Sequence, residues 1–257
     1  MIKNIWCVAC LLFMIAGCTK NKPPAASNET KASNGAAART IAVDRAVYSW
    51  PPESSAKVDL VAEDRRLAKN FYVILDGSGS MESTECSGGK NKAEAAKEAL
   101  KVFAAAVPKD SNLGLLVFDN SGTSERVPLG INNRTHFESA LKNMVVGGGT
   151  PLGSAINKGL DALQTQARSQ LGYGEYNIVV VTDGAANKDD RPDTVVNLLA
   201  SKTPVVIHTV GFCLGENHAL NQPGVTLYKT AMNPSELLTG LEDVLAESES
   251  FDVAEFN

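Results

Sequence analysis

Apolar residues in this chain fall into short unbroken runs separated by stretches where they recur every three or four positions. The first run, Phe71–Leu75, stops at Asp76. A run without polar interruption is the pattern of a strand buried on both faces. Residues 91–107 follow the helical period instead. Ala93, Ala96, Leu100, Phe103, Ala104 and Val107 share one face, and Lys92, Glu94, Lys97, Glu98 and Lys101 occupy the others. Strands are predicted at 113–119, 176–181, 204–212 and 225–230, with a short edge strand at 127–129. Helices are predicted at 134–144, 151–170, 193–202 and 234 to about 248, the last with Asn233 as its cap and Pro234 at its first position. Strands alternating with helices imply right-handed crossovers and an α/β, doubly wound, mainly parallel sheet covered by helices on both faces. One domain over residues 67–250, followed by a tail at 251–257, is long enough for a single core.

The N-terminal residues differ in kind. Lys3 precedes an apolar stretch from Ile5 to Ala16 that is too short for a permanent membrane span. It has the charged and apolar regions of an export signal. The stretch ends Ile15-Ala16-Gly17-Cys18, which resembles the lipobox of bacterial lipoproteins, with Ile in place of the commoner Leu. That resemblance implies removal of residues 1–17 and lipidation of Cys18, anchoring the protein to a membrane; the alternative is a plain secretory signal. Thr19 stands where Asp would suggest inner-membrane retention, so the expected location in a Gram-negative source is the outer membrane of the cell envelope, facing the periplasm or the surface. Residues 19–40 hold no aromatic or large aliphatic side chain. With the apolar residues that return from Ile41, residues 18–66 are expected to form a flexible tether or N-terminal arm. If flexible throughout, they would reach on the order of 40 Å.

Composition narrows the partners. The net charge of the 257-residue chain is −5. Loss of residues 1–17 removes one cation, Lys3, and no acid, leaving −6. No lysine- or arginine-rich run appears, so nucleic acid is not expected as a partner. Of five cysteines, Cys7 and Cys10 would leave with the signal and Cys18 would carry lipid. Cys86 and Cys213 remain. They follow two predicted strands at the same rim of a doubly wound sheet, and an exported protein meets an oxidising compartment, so a disulfide between them is expected. Unstrained, it would contribute about 4–5 kcal/mol on the chain-entropy model.

In open α/β sheets, ligands bind beyond the carboxyl ends of the strands. Three polar features fall there: Asp76-Gly77-Ser78-Gly79-Ser80, the glycine-rich 147–153 segment carrying Thr150, and Thr182-Asp183-Gly184. Singly, each reads equally well as a polar turn. Together they resemble the von Willebrand factor type A (VWA) domain, whose metal-ion-dependent adhesion site (MIDAS) combines an Asp-x-Ser-x-Ser sequence with a loop Thr and a loop Asp. The resemblance covers roughly residues 68–247, and all five positions carry the expected residue types. It implies that Ser78 and Ser80 coordinate a cation directly, Thr150 directly or through water, and Asp76 and Asp183 largely through water. Oxygen-only donors suit a hard ion, with Mg²⁺ expected and Mn²⁺ or Ca²⁺ possible. The implied function is metal-dependent protein–protein interaction, in which a partner's Asp or Glu carboxylate completes the coordination.

Competing functions meet specific obstacles. A serine hydrolase would need a base, and His136, His208 and His218 have no local company; no Gly-x-Ser-x-Gly elbow frames Ser78 or Ser80. His208, inside an apolar strand, reads as a core residue. A Mg²⁺-dependent hydrolase built on Asp76 would want a second acid two positions on, where Ser78 stands. An assembly or scaffold role with a metal-stabilised domain is the nearer alternative; the chain holds no Gly-x4-Gly-Lys-Ser/Thr nucleotide loop. An enzyme is not expected. Asp119 is expected to cap the turn that follows its strand, and the polar 212–224 insertion to form the surface that selects a partner.

Overall fold

The computed structural model describes residues 49–249. The expected signal peptide, Cys18, residues 19–48 of the expected tether and the expected tail lie outside the described residues. Among the described residues no helix is long and apolar enough to cross a membrane.

Six strands form one sheet: β1 (Lys69–Asp76), β2 (Asn112–Asp119), β3 (Gly122–Gly130), β4 (Glu175–Thr182), β5 (Val206–Phe212) and β6 (Leu227–Ala231). Their order is β3-β2-β1-β4-β5-β6, and every pairing is parallel except that of β2 with β3. Among the described residues five α-helices cover it: α1 (Lys92–Ala106), α2 (Arg134–Lys142), α3 (Leu152–Ser169), α4 (Pro192–Lys202) and α5 (Pro234–Glu249). This is the doubly wound α/β arrangement expected, with element ends displaced by one or two residues in most cases.

Alternation along β1 divides the core. Phe71, Val73 and Leu75 pack with Phe103 of α1, Phe137 of α2 and Leu241 of α5. Tyr72 and Ile74 face the opposite way, toward Ile156 and Leu163 of α3 and Val196 and Leu199 of α4. Side-chain caps start α1 and α5. Asn91 accepts the Glu94 N–H at 2.8 Å, and Asn233 accepts the Glu236 N–H at 3.0 Å while Glu236 reaches back to the Met232 N–H at 2.7 Å.

The edge strand is longer than the pattern predicts. Only Val127 of β3 is buried, so Gly122–Arg126 carry no apolar signal and only the second half reads as strand. The turn supplies the missing pairing: Asp119 accepts the Ser121 N–H at 2.8 Å, as expected of its capping role, and Gly122 takes φ +92°. At the other end of the described chain, Trp50 packs edge-on against Tyr176 with ring centroids 5.2 Å apart. The Val61 N–H donates to the Ser169 carbonyl at 3.0 Å. These residues of the expected tether therefore lie along the fold as an arm.

Sheet order places the site. The chain leaves β1 toward β2 on one side, while β4 takes the other side of β1. The carboxyl ends of β1 and β4 thus flank the topological switch point, where a crevice opens between diverging loops.

Candidate metal centre

Asp76 ends β1 and is fully buried. Its Oδ1 accepts the Ser78 N–H at 2.8 Å and its Oδ2 accepts the Thr182 hydroxyl of β4 at 2.6 Å. Burial holds the Asp76 carboxyl above the usual carboxylate range, against the lowering effect of those donors and with the negative Asp183 adding to it. A nearby positive ion would favour the charged form.

Beyond Asp76 the chain turns outward. Ser78 remains buried and Ser80 is exposed; their hydroxyl oxygens lie 3.1 Å apart. The Ser80 hydroxyl donates to Asp183 Oδ1 at 2.6 Å. The glycine-rich loop closes over this turn. The Gly79 N–H donates to the Gly148 carbonyl at 3.2 Å, and the Gly147 N–H to the Gly77 carbonyl at 2.8 Å. Gly148 adopts φ +83° with the Asp119 carbonyl 3.2 Å from where a Cβ would sit, so a side chain is disfavoured twice over. Thr150 is then fixed by Asn187, whose side chain accepts the Thr150 N–H and whose own N–H donates to the Thr150 carbonyl, both at 2.9 Å.

The five expected residues, Asp76, Ser78, Ser80, Thr150 and Asp183, therefore come to one rim. Gly184 shows how closely: a Cβ there would lie 3.4 Å from Ser80 Oγ and 3.9 Å from Thr150 Oγ1. A side chain at 184 would fill the space those two hydroxyls face. No group of three or more His, Cys, Asp or Glu side chains that could hold a metal occurs among the described residues. The donor set is instead three hydroxyls backed by two carboxylates, which fits a small hard cation.

One charged partner was not legible in the sequence. Helical periodicity placed Lys92 on a solvated face of α1, whereas Lys92 is buried and its Nζ lies 2.9 Å from Asp183 Oδ2. As the first residue of α1 it points back along the helix axis, over the rim. Burial disfavours the ammonium, but the Asp183 carboxylate holds its pKa above the ordinary lysine value. Thr182 and Asn187 were likewise missed as supports, and only adjacency to Asp183 hinted at the first.

The polar 212–224 insertion after β5 lies beside the rim. It reaches the rim through His218, whose Nε2 lies 3.0 Å from the Gly184 carbonyl and whose ring stacks on Tyr228. Of the three histidines read as lacking company, His218 thus adjoins the site. Leu220 is fully buried and pins the insertion to the core. His208 is the buried residue expected, between Asn177 and Glu247. Cys86 and Cys213 are neighbours at this rim, both with left-handed φ (55° and 59°), and they are free thiols, with the expected disulfide not formed in the structure. Burial and the adjacent Cys86 thiol push the Cys213 thiol up to about 12.

An open α/β sheet whose switch point presents hydroxyls and buried carboxylates belongs to the doubly wound fold class. The family model of the von Willebrand factor type A domain matches residues 70–249, and the chain belongs to that family. It is similar to the uncharacterized protein YwmD of Bacillus subtilis, 27% identical over 168 residues that cover 59% of this chain and 71% of YwmD. An uncharacterized protein of Borreliella burgdorferi is 32% identical over 155 residues, covering 59% of this chain and 42% of that protein. Among solved structures, a von Willebrand factor type A protein from Catenulispora acidiphila matches with a TM-score of 0.57 at 19% identity, over 71% of this chain and 43% of that one. Proximal thread matrix protein 1 from the mussel byssus, with a zinc-occupied MIDAS motif, matches at 0.54 and 18% identity, over 73% and 47%. At these identities the likeness is one of fold.

Thr182→Val keeps the side-chain volume while leaving the buried Asp76 carboxylate one donor short. The expected loss is about 2 kcal/mol, read as a lower urea midpoint at unchanged slope for the protein in EDTA. A midpoint equal to wild type would remove Thr182 as the support of Asp76.

Proposed function

We propose that this protein is a cell-envelope binding module that holds a divalent cation at a MIDAS and uses it to engage an acidic group on a partner protein. The observation that carries this reading is the position of Ser80 Oγ, 3.1 Å from Ser78 Oγ and 2.6 Å from Asp183 Oδ1, facing Thr150 across Gly184. Ser78 and Ser80 are the direct ligands, with Thr150 beside them directly or through water. Asp76 and Asp183 accept hydrogen bonds from the surrounding donors and order the cation's waters. Mg²⁺ is the expected ion, with Mn²⁺ and Ca²⁺ as substitutes; the zinc of the mussel protein supports a site of this fold accepting more than one divalent metal. When bound, the cation offers an electrophilic position that a partner's Asp or Glu carboxylate can fill.

The same hydrogen bonds support a binding role rather than an enzymatic one. Neither serine has a histidine as hydrogen-bond partner among the described residues, and the Ser80 proton is directed to Asp183. We further infer a lipoprotein arrangement: a signal peptide over residues 1–17, a lipid anchor on Cys18, a tether or arm over 18–66, the VWA domain over 67–250 and a tail over 251–257. It would sit in the outer membrane, facing the periplasm or the surface. In that compartment Cys86 and Cys213 would pair. Their juxtaposition beside the rim supports this, because closure would tie the metal-loop side of the fold to the end of β5.

Mn²⁺ binding to the purified full chain tests the cation. Wild type should bind, and Asp76→Ala should weaken binding at least tenfold, equivalent to about 1.4 kcal/mol. Equal binding by both proteins would place the ion elsewhere, and no binding by wild type would end this reading. For the cysteines, peptide mapping of envelope-purified protein without reductant should recover Cys86 joined to Cys213; recovery of two free thiols would contradict the pairing.

A further inference from the structure

The Lys92–Asp183 contact is a buried ion pair in an unexpected place. The Lys92 side chain is 7% exposed and the Asp183 side chain 0%. Burying two charges costs several kcal/mol of hydration for each, and apolar replacements of such pairs are often neutral or stabilising. The fold alone therefore gives little reason for an ammonium here.

The hydrogen bonds around it supply one. Asp183 Oδ1 accepts from Ser80 and Oδ2 from Lys92, so both of its oxygens are engaged. Asp76 is likewise engaged at both oxygens, by the Ser78 N–H and the Thr182 hydroxyl. The oxygens left to face the rim are the neutral hydroxyls of Ser78, Ser80 and Thr150. Two carboxylates and one ammonium leave a net charge of −1 around them, where the carboxylates alone would give −2.

Lys92 is also held where it stands. Its backbone N–H donates to the Ser83 carbonyl at 2.8 Å, and the Ser83 N–H donates to the Ser80 carbonyl at 3.0 Å. The start of α1 is thus coupled through two hydrogen bonds to the loop that carries the ligand serines. The ammonium and the Ser80 hydroxyl address the two oxygens of one carboxylate from one short segment of chain.

We propose that Lys92 is a specificity-determining residue of the cation site, keeping Asp183 out of direct coordination so that a bound divalent ion is held weakly by hydroxyls and keeps its attraction for an outside carboxylate. This rests on the cation reading given above. With Lys92 neutralised, Asp183 Oδ2 is freed to coordinate. A carboxylate ligand raises affinity for every divalent ion and favours Ca²⁺ over Mg²⁺, because Ca²⁺ accepts more carboxylate oxygens in looser geometry.

The test titrates the full chain with Mn²⁺, Mg²⁺ and Ca²⁺, each alone, for wild type, Lys92→Met and Lys92→Arg. Lys92→Met should bind Mn²⁺ at least tenfold more tightly than wild type and gain more for Ca²⁺ than for Mg²⁺. Lys92→Arg, which keeps a positive charge beside Asp183, should stay closer to wild type than Lys92→Met does. Melting temperatures with and without Mn²⁺ give a second readout: the rise on adding Mn²⁺ should be larger for Lys92→Met, because ligand stabilisation follows affinity. If Lys92→Met is unfolded in EDTA, Mn²⁺ should restore the fold, and failure to restore it overturns the proposal. Unchanged or weaker binding by Lys92→Met, or an arginine variant that behaves like methionine, overturns it while leaving the cation reading intact. Wild type that binds no Mn²⁺ overturns both.

Discussion

The arrangement of the rim depends on one buried carboxylate. Asp76 bridges β1 and β4 by accepting the Thr182 hydroxyl on one oxygen and turns the chain outward by accepting the Ser78 N–H on the other. A carboxylate with no exposure is tolerated only where donors surround it. That requirement couples the strand pairing at the centre of the sheet to the direction in which Ser78 and Ser80 leave it. Without the bridge, the Asp-x-Ser-x-Ser segment would be an ordinary turn at the end of a strand.

Around this bridge the loops constrain one another. Gly77 and Gly79 exchange backbone hydrogen bonds with Gly147 and Gly148, which brings Thr150 within reach of the serines. Asn187 fixes Thr150 from the other side, and Gly184 keeps the space between the hydroxyls clear. Charge is distributed to match. The two carboxylates stand behind the hydroxyls, and Lys92 cancels part of their field. In the proposed reading, such a rim would hold an ion without saturating it, leaving room for an external acid. The His218 contact then places the 212–224 insertion beside the same rim, so that the surface next to the candidate site includes a loop segment.

Much of this was legible in the sequence because β1, β2 and β4 are largely apolar and run into acids, Asp76, Asp119 and Asp183. Phe71–Asp76 and Tyr176–Asp183 could be read as strands ending at one rim, and the glycine-rich loop declared itself by composition. The five site residues came from the resemblance of those positions to the von Willebrand factor type A motif. The first half of β3 was not legible, since an edge strand facing solvent needs no apolar residues and Gly122–Arg126 have none. Lys92 was misplaced for a related reason: helical periodicity treats every lysine as solvated and does not register that the first residue of a helix leans over the loop before it. The partnership of Thr182 with Asp76, and of Asn187 with Thr150, joins positions 106 and 37 residues apart. Such pairs have no local signal. Cys86 and Cys213 were brought to one rim by topology, but topology does not decide the oxidation state of two thiols.

The most direct measurement is a crystal structure of the protein grown with Mn²⁺ and read by anomalous scattering. The account predicts a single strong peak between Ser78 Oγ and Ser80 Oγ, within about 2.5 Å of each, with Lys92 Nζ still on Asp183 Oδ2. A peak coordinated directly by an Asp183 oxygen from which Lys92 has withdrawn would contradict the hydroxyl-held site. A rim with no peak while Mn²⁺ binds elsewhere on the molecule would contradict the metal centre itself.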